Sequence, residues 1–389
     1  MSERREFIKK ISLMSGAAIF APHILTASEL PALAVPGYLS AYSDLYKKDP
    51  KKAALAWFGQ AGYGLFMHYG LYSIWGRGAW VQYMEKIPVA EYVKLKNEFT
   101  AKDFNADYIT DLAQDAGMKY VNITAKHHDG FCLFKSSQTD YNSVHSAAKR
   151  DLVGELRTAC DQKGLGLFLY YSVAADWHHP YFASNKEGWE MYRPQYDKPQ
   201  PEYKYKSLKD FPKYIAYVKA QLKELIVQYN PAGIWFDPAM GLYANADIFP
   251  MEEIYQHIRS LSPHVLISFK QGATGTEDFA APERKAHSLS DKVKTLYGEK
   301  AAILADRVWE AHKNKHNETC STMQRGAWSY EPENDGKRKH LGVDEVLELL
   351  KDAKSRNMNL LLNTGPLPGG GIHKGDAEIL RKVGKIMKG

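Results

Sequence analysis

From Ala53 onward, short apolar runs alternate with longer stretches in which apolar residues recur three or four positions apart. The runs read as strands buried on both faces and the stretches as amphipathic helices. Strands are predicted over residues 62–68, 120–124, 165–172, 233–237, 265–269 and 359–363. A short helix is predicted at 89–96. Another starts near Asn105, buries Tyr108, Ile109, Leu112 and Ala116, and stops at Gly117. Asp151 caps a helix with Leu152, Leu156, Ala159 and Cys160 inward and Gly164 beyond its end. Further helices carry Ile215, Val218, Leu222, Leu225, Ile226 and Tyr229 on one face, then residues 251–260, then Val343, Val346, Leu347, Leu350 and Ala353. A closing helix begins at about Asp376. Residues 176–212 show no period and read as a long functional loop, and residues 270–284 as an irregular one.

Strands separated by helices over more than 300 residues, without hairpin signals, predict a parallel sheet. Polar and aromatic residues gather where strands end: His68, His127, His128, Tyr170, Asp237 and Glu283. That one-sided clustering favours a (β/α)8-like, TIM-type barrel over an open doubly wound sheet. The run Gly233-Ile234-Trp235-Phe236-Asp237 is the clearest case. It ends in a carboxylate and then Pro238, which cannot continue a ladder. A charge there is costly to desolvate unless it has a partner or a task.

Composition narrows the function. A chain of 389 residues with 44% hydrophobic content can bury one large barrel core. The net charge of +6 is spread along the chain, with no basic block of the kind that binds nucleic acid. No GxGxxG or P-loop follows a strand, which argues against a nucleotide cofactor. The 8 Trp and 25 Tyr suit a sugar site as well as a core. Cys132, Cys160 and Cys320 are odd in number and far apart, so neither a disulfide framework nor a CxxC metal site is indicated. Residues 1–34 read as a leader rather than as fold: Arg4-Arg5 precede Phe7-Ile8, an apolar run follows, and Ala32-Leu33-Ala34 offers a cleavage site. The expectation is a bacterial twin-arginine export signal delivering residues 35–389, a single catalytic domain, to the periplasm. The apolar run is too short to span a membrane.

Two carboxylates at neighbouring strand ends are what glycoside hydrolysis requires, one at the anomeric carbon and one at the leaving oxygen. Asp237, on a rigid strand end, suits the first role; Glu283, on a loop after Pro282, suits the second, with Glu277 as its rival. The pair His127-His128 invites a metal reading. Neighbours on a strand point to opposite sides, however, so both imidazoles reaching one ion would need an irregular backbone. No HExxH is present, and hydrogen bonds to sugar hydroxyls are the expected use of these histidines. No metal and no cofactor are expected. Cys132 reads as packing rather than as a nucleophile.

Several runs resemble family 29 of the glycoside hydrolases, the α-L-fucosidases: Gly64 to Gly70, Thr124 to Cys132, Lys149 to Val153, Leu169 to Ser172, Trp235 to Asp237, Asp278-Phe279 with Pro282-Glu283, and Asn359 to Pro366. The resemblance implies an exo-acting, retaining, metal-independent hydrolase that removes terminal fucose from a fucosylated oligosaccharide or glycoconjugate. It implies Asp237 as nucleophile and Glu283 as acid/base. His68, His127, His128 and Tyr170 become hydroxyl-binding groups, and Trp80, Trp235 and Trp328 apolar or stacking walls. Three departures stand out. Ala79 occupies a position where the family commonly has Glu, which points to a related sugar such as an α-L-galactoside or a substituted fucose. Lys270-Gln271 stands where some members have Arg. The family's C-terminal β-sandwich is not expected. A relative that binds sugar without turnover is the third reading.

Overall fold

The computed structural model describes residues 34–183, 193–283, 288–332 and 339–389. Residues 1–33 of the predicted leader, and residues 184–192 of the predicted long loop, lie outside that set. The unit Pro36–Gly389 is one body. Its strands are β1 (Tyr63–Met67), β2 (Tyr120–Lys126), β3 (Gly166–Ser172), β4 (Gly233–Asp237), β5 (Leu266–Phe269), β6 (Phe279–Ala280), β7 (Asn317–Thr322) and β8 (Met358–Thr364). All pairings are parallel, in the order β6-β5-β4-β3-β2-β1-β8-β7. The ring is nearly closed by a parallel bridge between Glu283 and Cys320, in which Cys320 N–H donates to the Pro282 carbonyl at 3.2 Å. This is the (β/α)8-type barrel expected.

The helices that matter below are α1 (Pro50–Ala61), α2 (Ala106–Asp115), α3 (Leu152–Lys163), α4 (Phe211–Tyr229), α5 (Met251–Leu261), α6 (Glu299–His312), α7 (Val343–Ser355) and α8 (Lys374–Lys388). Their ends follow the local chemistry. Asn105 and Asp151 accept from the amides of Tyr108 and Gly154, and Gly164 and Asn230 close α3 and α4 in left-handed conformations. Tyr108, expected inside, is 38% exposed instead. It lies on the outer face of α2, beside Arg381.

The barrel floor is aromatic. Phe58 of α1 stacks on Phe279 at 4.1 Å, and Trp57 lies parallel to Phe168 at 6.3 Å. Two glycines make room for the rings: a Cβ on Gly64 would meet Tyr120 at 2.4 Å, and one on Gly233 would meet Phe168 at 2.3 Å. The plug keeps the N-terminal end dry and leaves the C-terminal end as the open mouth.

Two strands depart from the sequence reading. β6 lies within the stretch expected to be irregular, and β7 was not expected at all. Their sequences explain it: β6 has two residues, and β7 is Asn-Glu-Thr-Cys-Ser-Thr, with no apolar run. Glu283, expected on a free loop, instead sits at the seam where β6 meets β7.

Candidate active site

At the open mouth a cavity of about 230 Å³ is lined by all nine side chains singled out from sequence: His68, Trp80, His127, His128, Tyr170, Trp235, Asp237, Glu283 and Trp328. Phe66, Ala79, Pro238 and Lys270 complete the lining. The cavity is smaller than the ~300–1,000 Å³ typical of drug-sized ligands and suits a single pyranose. Glu277 is not part of it. That carboxylate accepts from the amides of Ala273, Thr274 and Gly275 and from the Tyr255 hydroxyl, pinning the 271–278 loop.

β4 delivers Asp237 with its side chain only 7% exposed. Burial raises its pKa, while the Lys270 ammonium, 3.8 Å from Oδ1, and the Tyr170 hydroxyl, donating to Oδ2 at 2.8 Å, lower it. Glu283 is more open, at 37%, and pairs with the same ammonium. One cation thus stands between the two carboxylates. Burial would lower the Lys270 pKa, but Asp237 and Glu283 together raise it, so the lysine stays charged.

The histidines are neutral. Burial holds His68 down to about 3 and drives His127 and His128 well below their ordinary value. Their partners select the tautomers. Asn363 gives its amide to the Trp328 carbonyl, so its oxygen accepts from His68 Nδ1 at 2.7 Å and leaves Nε2 as an acceptor. Ser172 donates to the Ala175 carbonyl, so it accepts from His128 Nδ1 at 2.7 Å. His127 Nδ1 and Asp237 Oδ1 are buried without a hydrogen-bond partner in the protein.

Both members of the His127-His128 pair line the cavity, with ring centroids 4.1 Å apart. The alternation expected of a strand does not apply, because the β2–β3 register shifts between Thr124 and Lys126 and the strand ends before His127. Aromatic contacts fix the walls. Tyr170 stacks on Trp235 at 5.4 Å and on His127 at 5.5 Å, while Trp328 packs on His68 and Trp80 on His128.

Three supporting groups escaped the sequence reading. Asn363 lies within a recognised strand but reads as one more strand residue. Ser172 carries no signal of its own. Glu318, fully buried under the cavity, accepts from Tyr120 Oη at 2.6 Å and Trp235 Nε1 at 3.0 Å, and burial lifts its pKa to about 7. It belongs to the strand that was not expected.

The family profile described as "Alpha-L-fucosidase" matches residues 38–389. The chain belongs to the α-L-fucosidase family. It is 31% identical to human plasma alpha-L-fucosidase over 355 residues, covering 86% of this chain and 67% of that protein. Rat tissue alpha-L-fucosidase is 28% identical, over 85% of this chain and 68% of that protein. Among solved structures, alpha-L-fucosidase isoenzyme 1 from Paenibacillus thiaminolyticus superposes with a TM-score of 0.69 at 30% identity, covering 87% of this chain and 76% of that one. Alpha-L-fucosidase AlfC from Lactobacillus casei, in complex with alpha-L-fucose product, gives 0.68 at 28%, covering 86% and 98%. This family member is therefore a glycoside hydrolase on a barrel its relatives share. Among the described residues no helix is long and apolar enough to cross a membrane.

Proposed function

We propose that this α-L-fucosidase removes terminal α-L-fucosyl residues from glycans with net retention. Asp237 attacks C1 while Glu283 protonates the departing oxygen. Glu283 then takes a proton from the water that attacks C1, and the C1–Asp237 bond breaks. The observation that carries the reading is the Lys270 ammonium, in contact with Glu283 and 3.8 Å from Asp237. A shared cation supports the ~5–5.5 Å spacing of retaining enzymes over the ~6.5–9.5 Å of inverting ones.

Lys270 also suits the alternation of charge that double displacement requires. When Glu283 holds its proton, the ammonium leans toward ionised Asp237. Once Asp237 is glycosylated and neutral, the ammonium returns to Glu283 and favours the ionised base of the second step.

Asp237→Ala is expected to lose at least ~10³-fold in kcat on an aryl α-L-fucoside. Azide should restore turnover in that variant or in Glu283→Ala, and NMR of the first-formed fucose should show the α anomer. Near-native turnover in Asp237→Ala, or β-fucose as first product, would reject the assignment.

Ala79 favours a second reading. Its methyl lines the cavity and offers no hydrogen bond where a family member's Glu would bind hydroxyls. A related sugar, such as an α-L-galactoside, would then be preferred. The ratio of kcat/KM for aryl α-L-fucoside and α-L-galactoside separates the two.

A further inference from the structure

We propose that His340, His373 and Asp376 form a structural binding site for a divalent cation of the zinc class, outside the sugar cavity and independent of its chemistry. Two chain segments meet here, the approach to α7 and the start of α8. His340 precedes α7, His373 caps α8, and Asp376 lies in the first turn of α8, three residues on and on the same face. Their donor atoms all lie within 4.8 Å of one another. None of the three lines the cavity that holds Asp237 and Glu283.

The donor set points to the metal. Two imidazoles and one carboxylate suit zinc and its borderline neighbours, whereas magnesium and calcium take mainly oxygen. The imidazole planes lie nearly parallel, 23° apart with centroids at 4.4 Å. Asp376 is 1% exposed, and its Oδ2 accepts from the Thr364 hydroxyl at 3.0 Å. That outer hydrogen bond fixes the carboxylate and leaves Oδ1 toward the rings, the arrangement that supports metal ligands elsewhere.

A second observation comes from His373. Its Nδ1 is buried without a hydrogen-bond partner and lies 3.8 Å from Asp376 Oδ1, too far for a hydrogen bond. Atoms bound to one zinc ion at ~2.0–2.2 Å can span nearly this distance. A cation between them satisfies a nitrogen that the protein leaves bare. His340 Nδ1 donates a hydrogen bond to the same Oδ1; the ion would replace that bond, with the ring proton moving to Nε2.

The site would fasten the segment that carries Trp328. Leu341 N–H donates to the Met323 carbonyl, Met323 N–H donates to the Asn363 carbonyl, and the Asn363 side chain holds the Trp328 carbonyl. Thr364, which orients Asp376, is the next residue of β8.

The test uses the untagged full chain. After equilibration with zinc and removal of excess, elemental analysis should find one zinc per chain. At a hundredfold excess over Kd, Tm should rise by roughly 3–4 °C. Cobalt(II) should give the intense visible bands of a four-coordinate site. His373→Ala and Asp376→Asn should lose metal, cobalt bands and Tm rise together, while His373→Ala still hydrolyses aryl fucoside at 25 °C. No stoichiometric zinc in the native chain, or full uptake in folded His373→Ala, overturns the proposal. If neither variant folds, the native chain decides alone: an aqua-like cobalt spectrum rejects the site.

Discussion

At the scale of single residues, the candidate active site sets neutral histidines beside a buried carboxylate and its lysine. His68 and His128 each donate one ring proton to a fixed oxygen and so present the other nitrogen as an acceptor. Their depressed pKa values keep them so across the working range. The titrating unit is then Asp237, Glu283 and the lysine between them. Removing that cation has a signed consequence. Lys270 lowers the pKa of Asp237, so in Lys270→Met the proposed nucleophile titrates higher and the acidic limb of kcat/KM moves to higher pH. Glu283 loses its contact with Lys270 too, and taking a cation away from a carboxylate favours its protonated form, so the alkaline limb moves the same way. The optimum should shift upward as a whole, with kcat/KM down about 10–10²-fold at the native optimum. A pH–rate profile whose acidic limb stays in place contradicts the role given to Lys270. His68, His127, His128, Tyr170 and Asp237 were readable because they sit at or just beyond the end of an apolar run, whereas Trp80 and Trp328 entered only through the family resemblance. The tautomers were not, since Asn363 and Ser172 act through partners that only folding supplies.

At the scale of elements, what the sequence revealed depended on which way a strand faces. β1, β2, β3, β4, β5 and β8 pack hydrocarbon on the helix layer and announce themselves as apolar runs. β7 carries Glu318, Cys320 and Thr322 on one face, where Glu318 accepts from Tyr120 and Trp235, and its polar sequence gives no such signal. β6 is too short for any periodicity. The loop between β5 and β6 was read as irregular, yet it is one of the better-anchored segments. Burial alone would raise the pKa of Glu277, but His312, 3.2 Å away, the Tyr255 hydroxyl and the loop amides outweigh it and bring the pKa down to about 2. A carboxylate with a depressed folded pKa adds stability above its unfolded pKa of ~4.3 and loses it as pH falls toward 2. Glu277→Gln sets an amide N–H₂ against other donors, and should cost about 3 kcal/mol at pH 7. Urea melts at several pH values should show that gap narrowing below about pH 4.5. A gap that stays constant down to pH 2.5 would show that packing, not charge, accounts for the loss.

At the scale of the whole molecule, the barrel ladder is long between β2 and β3 and thin at the β6–β7 seam that carries Glu283. β2 and β3 pair along most of their seven-residue lengths, but β6 contributes two residues and meets β7 through the Glu283–Cys320 bridge and the Asn317 side chain. The proposed acid/base therefore rides on the seam of the ring, while the proposed nucleophile rides on a strand paired on both sides. This division suits the two tasks. A nucleophile must be held still against one carbon, and an acid/base must follow the proton from leaving oxygen to incoming water. Local opening should follow the same division, since stability within a domain tracks the density of paired backbone. Amide hydrogen exchange is expected to be faster at residues 279–283 and 317–320 than at 121–125 and 167–171. Saturating α-L-fucose should slow exchange at the seam more than in β2 and β3, because in the proposed mechanism the sugar bridges Glu283 to the Asp237 side of the mouth. Uniform protection around the ring, or slowing confined to β2 and β3, would mean that the seam does not participate in binding. The link between barrel closure and proton transfer would then fall, and the family assignment would stand.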